Sequence, residues 1–146
     1  MEHSPLDTLI TLREQELDLV ERSFAEAVAR ETAAEEKLSA AQEEILSEQR
    51  IASSPTAGDG AVEAFSRWLP AGRQAVAEAQ ARCREAALDR DTVRSALIIA
   101  RAAMEAVKTL KEERQEEERQ EEERLAELKK EQNALDELAI RQFSQS

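Results

Sequence analysis

The side chains that most often act as nucleophiles, general bases or metal ligands are scarce in this chain of 146 residues, which has one histidine and one cysteine. His3 falls where we expect a frayed end. Cys83 falls on an apolar helical position, where a free thiol packs as a small hydrophobic group. The sequence has no glycine-rich phosphate loop and no cysteine and histidine spacing typical of a metal site. We therefore expect no enzyme, no cofactor and no metal site.

The carboxylates are the remaining side chains that could take part in catalysis or bind a metal, and there are 32 of them. They lie on predicted exposed helix faces, where nothing would hold two of them in a dry cleft or shift a pKa. Together with 20 basic residues they give a net charge of −12, which repels phosphate backbones and anionic lipid. We therefore expect no nucleic-acid partner. No apolar run is long enough to span a bilayer, and Met1–Pro5 has no signal-peptide pattern, so we expect no direct membrane insertion.

The elements that must position any functional residue are two long helices. Each carries the apolar heptad of a left-handed coiled coil, from Leu6 to Glu48 in the first segment and from Val62 to Val107 in the second. The predicted fold is all-α, a long antiparallel two-helix coiled-coil hairpin. A single domain, 1–146, would hold helix one at about 5–50, a turn at about 51–61 and helix two at about 62–143. Because the apolar heptad stops where helix one runs out, helix two should overhang at its C-terminal end, with Lys111–Arg124 an unpaired helix.

Local signals mark where the helices begin. Ser4 and Pro5 are suited to the N-cap and the first helical position, and Asp7 to the third. Pro70 leaves two alternatives open, because a proline removes a backbone donor and clashes with the preceding turn. Either helix two is kinked at Pro70, or it begins near Leu69 and leaves the residues before it in an irregular tip.

The predicted overhang has a polar part and an apolar part. From 112 to 124, arginines recur every five residues among glutamates, and pairs three or four residues apart should stabilise a solvated helix. Apolar residues then return, and helix one is too short to cover them: Leu125, Leu128, Leu135, Leu138, Ile140 and Phe143.

Half of the four aromatic residues stand together near the turn, as Phe65 and Trp68. Phe65 fits a d position of the heptad. Trp68 lies off the heptad, and an exposed tryptophan beside phenylalanine and leucine indicates a binding anchor.

The chain resembles the FliJ family of flagellar type III export stalk proteins and, more distantly, the YscO-type injectisome stalk proteins. The resemblance covers nearly the whole length. It rests on the opening Leu6-Asp-Thr-Leu-Ile-Thr-Leu-Arg-Glu-Gln-Glu-Leu17, on the short Ser/Gly turn followed by aromatic residues, and on the ending Glu131-Gln-Asn-Ala-Leu-Asp-Glu-Leu-Ala-Ile-Arg141. Pro70 and the neighbouring Gly72 depart from the smooth helix that the family's pattern leads us to expect.

The resemblance implies a gamma-like central stalk. Its paired termini would insert in the hexameric export ATPase and promote its assembly, and its opposite end would reach the membrane export gate protein. The family is also credited with handling export chaperones. The implied location is cytoplasmic, peripheral at the cytoplasmic face of the inner membrane. The implied ATPase-binding residues are Leu6, Leu9, Arg13, Gln132, Leu135, Asp136, Leu138, Arg141 and Phe143. The implied gate-binding residues are Phe65, Trp68, Leu69 and Arg73.

Two other functional classes stay open at this point. One is a coiled-coil export chaperone that binds clients through the tip of the hairpin. The other is a structural homodimer, without ATPase coupling, in which two overhangs pair through the apolar residues that follow Arg124.

Overall fold

The computed structural model describes residues 4–145. The expectations that concern His3 and the start of the sequence, at Met1 and Glu2, lie outside these residues. The described chain forms two α-helices and no strand, α1 at Pro5–Ala52 and α2 at Ala61–Gln145. The two helices pack against each other, which confirms the all-α hairpin. The predicted limits were about 5–50 and 62–143.

The chain divides into two compact units. The hairpin unit is Glu14–Arg101, and the end unit combines Met1–Arg13 with Ala102–Ser146. In the hairpin unit, a short connection returns the chain after Ala52 and makes the two helices antiparallel. Within this connection the Ala57 amide donates to the Ser54 carbonyl at 3.0 Å. Gly60 adopts a φ of +85°, a conformation that favours glycine, and α2 begins at the next residue.

The heptad positions form the interior of the hairpin unit. Ala27 and Leu97 are its most deeply buried apolar residues, and every a and d position from Phe65 to Ala100 is buried or half-buried. Glu48 is the exception on α1, and Val62 is the exception on α2, since both are exposed. The 3.5-residue repeat therefore identified the buried face correctly along most of its length.

Two charged heptad positions form an ion pair inside this interior. Arg90 donates to Glu31 at 2.6 Å, and the Glu31 side chain is only 14% exposed. Arg90 also contacts Asp91 at 3.1 Å. These two hydrogen bonds raise the pKa of Arg90, with Asp91 the larger cause and Glu31 the next. Because both partners occupy a positions, the pair fixes one register of α1 against α2.

The end unit shows how α1 begins. The Asp7 amide donates to the Ser4 hydroxyl at 3.2 Å, which confirms Ser4 as the N-cap. Lys111 lies 3.0 Å from the Asp7 carboxylate. Lys111 is half-buried, and every described residue of α2 after it is exposed. The expectation that Lys111 belongs to the unpaired overhang was therefore wrong.

Pro70 lies inside α2, ten residues into the helix. The alternative in which helix two starts near Leu69 was therefore wrong. Pro70 lacks the amide that would donate to the Ser66 carbonyl, and α2 continues through it to Gln145.

Candidate interaction surfaces

The tip cluster is the set of Phe65, Trp68, Leu69 and Arg73, near the start of α2. The Phe65 and Trp68 ring centroids are 6.1 Å apart with their planes tilted by 35°, an aromatic contact within the favourable range. Trp68, Phe65 and Leu69 are half-buried, whereas Arg73 is exposed. The expectation of an exposed Trp68 was therefore wrong, because one side of its ring is covered by the protein itself.

Gly72 provides the cover. Gly72 lies one turn after Trp68 on α2. A Cβ built at Gly72 would come within 2.7 Å of the Trp68 ring, so the indole lies directly over the glycine. Gly72 is buried at a heptad position. Gly72, one of the two departures from a smooth helix, therefore makes room for the Trp68 ring.

The polar segment, 112–124, follows Lys111 in the end unit. All of its side chains are exposed. Arg119 bonds to Glu116 at 2.5 Å and also to Glu123, and Arg124 bonds to Glu121 at 2.6 Å. These bonds lower the pKa of Glu116 and Glu121, mainly through the hydrogen bonds from Arg119 and Arg124 respectively. Arg119 and Arg124 thus form ion pairs on the segment's own surface, while eight glutamates against three arginines leave the segment with a net charge of −5.

The terminal surface, 125–143, comes next on the same helix. Its large apolar side chains are exposed, with Phe143 the most exposed at 86%. At 100° per residue, Leu125, Leu128, Leu135 and Phe143 fall within a sector of about 80°. Within this stripe the Gln132 amide donates to Asp136 at 3.1 Å. A helix with such a stripe is amphipathic, and the large apolar side chains of the stripe are exposed.

The structure divides the predicted ATPase-binding residues between two places. Leu6 is 8% exposed and is buried within the end unit, so it offers no free surface. Leu9 and Arg13 are half-buried. Since Asp7 contacts Lys111, the first turn of α1 lies about 30 Å along α2 from Gln132. Sequence reasoning had joined the two chain ends into one site, and the structure does not bring them together.

The ion pairs between α1 and α2 were the contacts that sequence reasoning missed. The heptad puts Glu31 and Arg90 at a positions of their helices, but the periodicity of each helix alone does not pair them. Opposite charges at facing a positions, counted back from the turn, were the available signal. Asp7 had been assigned only to the helix N-terminus, although it also contacts Lys111.

Other kinds of site find no support in residues 4–145. No group of three or more histidine, cysteine, aspartate or glutamate side chains there could hold a metal ion. No helix in that part of the chain combines the length and the apolar character needed to cross a membrane. The arrangement suits contacts with other proteins, at the tip cluster and at the terminal surface.

Comparison with protein families gives a match that covers the whole chain. The model of the flagellar FliJ protein matches residues 1–146. The chain belongs to the FliJ family. This confirms the resemblance seen in the sequence and identifies the chain as a component of flagellar protein export, in a family of structural export proteins. No curated protein and no solved structure matches the chain.

Proposed function

We propose that this FliJ-family chain is the central stalk of the flagellar export apparatus and that its C-terminal helix enters the hexameric export ATPase. The observation that best supports this proposal is the exposed part of α2 that follows Lys111. About 50 Å of continuous helix, from Glu112 to Gln145, is exposed on every side. It ends in an amphipathic stripe that requires a partner.

The two parts of the overhang suit this role for different reasons. The polar segment forms ion pairs along its own length, so it can cross solvent as a helix without a neighbour. The terminal surface carries leucines and Phe143 at helical spacing, which suits insertion into an apolar channel lined by other helices or loops. A stiff helix with an apolar end can promote ring assembly by contacting several subunits at once.

We propose that fewer residues contact the ATPase ring than the nine that the sequence indicated. These are the C-terminal members of the predicted ATPase-binding set, namely Gln132, Leu135, Asp136, Leu138, Arg141 and Phe143. Leu6 serves the packing of the end unit instead. Leu9 and Arg13, near the start of α1, would lie outside the deepest part of the channel.

The other end of the proposed link is the tip cluster, which would contact the membrane export gate protein. Trp68 and Phe65 present aromatic surface next to the exposed Arg73, a combination enriched at protein interfaces. The protein would act in the cytoplasm, peripheral to the inner membrane and without inserting in it. Export chaperones would be further partners of this assembly.

Deletion of residues 125–146 tests the proposal. The truncated chain should keep its helical hairpin, because the heptad interior ends before the deleted part, and it should fail to stimulate ATP hydrolysis by the purified export ATPase. A matched control is Leu19→Asp, which puts a charge on an exposed leucine of α1 and should leave stimulation intact.

The outcomes separate the candidate functions. Full stimulation by the truncated chain would contradict the stalk assignment. If the intact chain instead forms a tight dimer that the deletion abolishes, with no effect on the ATPase, the structural homodimer becomes the better interpretation. Client binding that depends on the tip alone would favour the chaperone.

A further inference from the structure

The interior of the hairpin unit changes character at the Glu31–Arg90 ion pair. We call residues 32–89, on the side of the turn, the tip half, and residues 14–30 with 91–101 the base half. In the base half, Ala27 and Leu97 are 1% and 4% exposed. Among residues 32–89, all of which the structure describes, Gly72 alone is buried. The apolar interior is therefore covered less completely on the tip side of the ion pair.

The register set by the ion pair accounts for this difference. Counted in heptads from the pair, the d positions of the base half put Ala27 opposite Val93, a small side chain against a larger one. In the tip half the same count puts alanine opposite alanine in two successive layers: Ala34 with Ala86, and Ala41 with Ala79. Two facing alanines bring much less apolar surface together than an alanine and a valine.

An open groove of about 470 Å³ lies between the helices beside these alanine layers. Ala41 of α1 and Ala79 of α2 both line it, in agreement with their pairing. All four alanines of the two layers are half-buried, so the helices do not close over them as they close over Ala27. Side chains that line such a gap lack contacts on one side.

The aromatic contacts of the tip cluster do not depend on α1. The Trp68 ring contacts Phe65 and lies over Gly72, and all three residues belong to α2. Near the turn, the heptad positions Glu48 and Val62 are exposed. Separation of the two helices on this side would therefore leave the arrangement of the aromatic rings intact.

We propose that the tip half of the hairpin opens locally while the base half stays closed, with the Glu31–Arg90 pair as the boundary. Local opening requires the least free energy where few apolar contacts are buried. Breaking the ion pair would leave a partly buried charge without its partner, which stops the opening at this point.

Opening would expose apolar side chains beside the tip cluster, namely Leu38, Ile45 and Val76, which are half-buried in the closed hairpin. A partner that binds them would shift the hairpin toward the open state. The proposal rests on the packing of the hairpin unit and does not depend on the stalk.

Thiol labelling of two matched variants of the full chain tests the proposal. Ala86 in the tip half and Ala100 in the base half are both half-buried alanines at d positions of α2. Each is replaced by cysteine in a Cys83→Ala background, so that each variant has a single thiol. The labelling rate in native buffer is divided by the rate of the same variant in concentrated urea, with equal helicity of the two variants as the control. This ratio should be at least tenfold higher for Ala86→Cys than for Ala100→Cys.

The urea dependence of labelling separates local opening from global unfolding. The rate for Ala86→Cys should rise less steeply with urea, because local opening exposes less surface than global unfolding. Equal ratios, a higher ratio for Ala100→Cys, or equal urea dependence of the two rates would overturn the proposal.

A third substitution tests whether the alanine layers set the opening. Ala41→Val gives one tip layer the combination of alanine and valine found in the base half, and the groove beside Ala41 has room for the added methyl groups. It should slow labelling of Ala86→Cys at least threefold and leave labelling of Ala100→Cys unchanged. An unchanged rate for Ala86→Cys would also overturn the proposal, because the alanine layers would then not limit the stability of this half.

Discussion

At the scale of single residues, Trp68 shows how a neighbour on the same helix can determine whether a side chain is buried or exposed. The sequence placed it off the heptad, and an off-heptad tryptophan was expected to be exposed. The sequence pattern could not show that Gly72, one turn later, leaves room for the indole to lie over the backbone. The glycine that seemed out of place in a helix is what allows the tryptophan to be half-buried.

Gly72→Ala should displace the Trp68 ring, because the new Cβ would come within 2.7 Å of it. Alanine favours the helix by about 1 kcal/mol over glycine, which opposes the loss of ring burial, so the free energy of unfolding should change little. The emission of the only tryptophan should shift to longer wavelength, and acrylamide should quench it more strongly. Gly58→Ala is the control, since nothing lies within 4 Å of its Cβ. Unchanged emission in Gly72→Ala would contradict the packing described.

At the scale of elements, the heptad predicted most of what the helices do. It identified the buried faces, the turn between the helices and the end of the apolar interior. The periodicity of one helix cannot state its alignment with the other, so the contacts of Glu31 with Arg90 and of Asp7 with Lys111 came only from the structure. It also could not decide the effect of Pro70, because helix propensity is overridden when the surrounding turns are held by packing.

The start of α1 should respond to pH through Asp7. The hydrogen bond from Lys111, followed by that from Ser4, lowers the pKa of Asp7 in the folded chain. A lowered folded-state pKa gives stability that is present above the ordinary aspartate range and is lost as the pH falls through the folded-state value. At neutral pH, Asp7→Asn should therefore lower the denaturation midpoint, and at a pH below the folded-state value of Asp7, variant and parent should have equal midpoints.

Urea denaturation at the two pH values, followed by circular dichroism, measures this effect. Asp18→Asn, at an exposed position further along α1, is the control and should shift the midpoint equally at both pH values. A constant difference between parent and Asp7→Asn across the pH range would show that the Asp7 carboxylate does not carry the contact.

At the scale of the whole molecule, the candidate site was predictable in part. The exposed C-terminal stripe follows from apolar residues that continue beyond the reach of helix one, and this inference needs only chain lengths. The grouping of both chain ends into one ATPase-binding surface stays a prediction, and the contact of Asp7 with Lys111 sets the first turn of α1 about 30 Å along α2 from Gln132.

If α2 couples the ATPase to the rest of the apparatus as a stiff helix, the direction of its terminal stripe should matter more than its distance. Two residues, Gln-Glu, inserted after Gln120 would rotate the stripe by about 200° and advance it by about 3 Å, whereas four residues, Arg-Gln-Glu-Glu, would rotate it by about 40° and advance it by about 6 Å. Because the ion pairs of the polar segment keep this part helical, the rotation should be transmitted to the terminal stripe.

Flagellar export, measured by secreted substrate and motility, should therefore fall further with the two-residue insertion. Stimulation of ATP hydrolysis by purified protein should survive in both variants, since the terminal surface itself is unchanged. A greater loss of export with the four-residue insertion would show that the length of the overhang governs the coupling. Full export with both insertions would show that the overhang acts as a flexible tether.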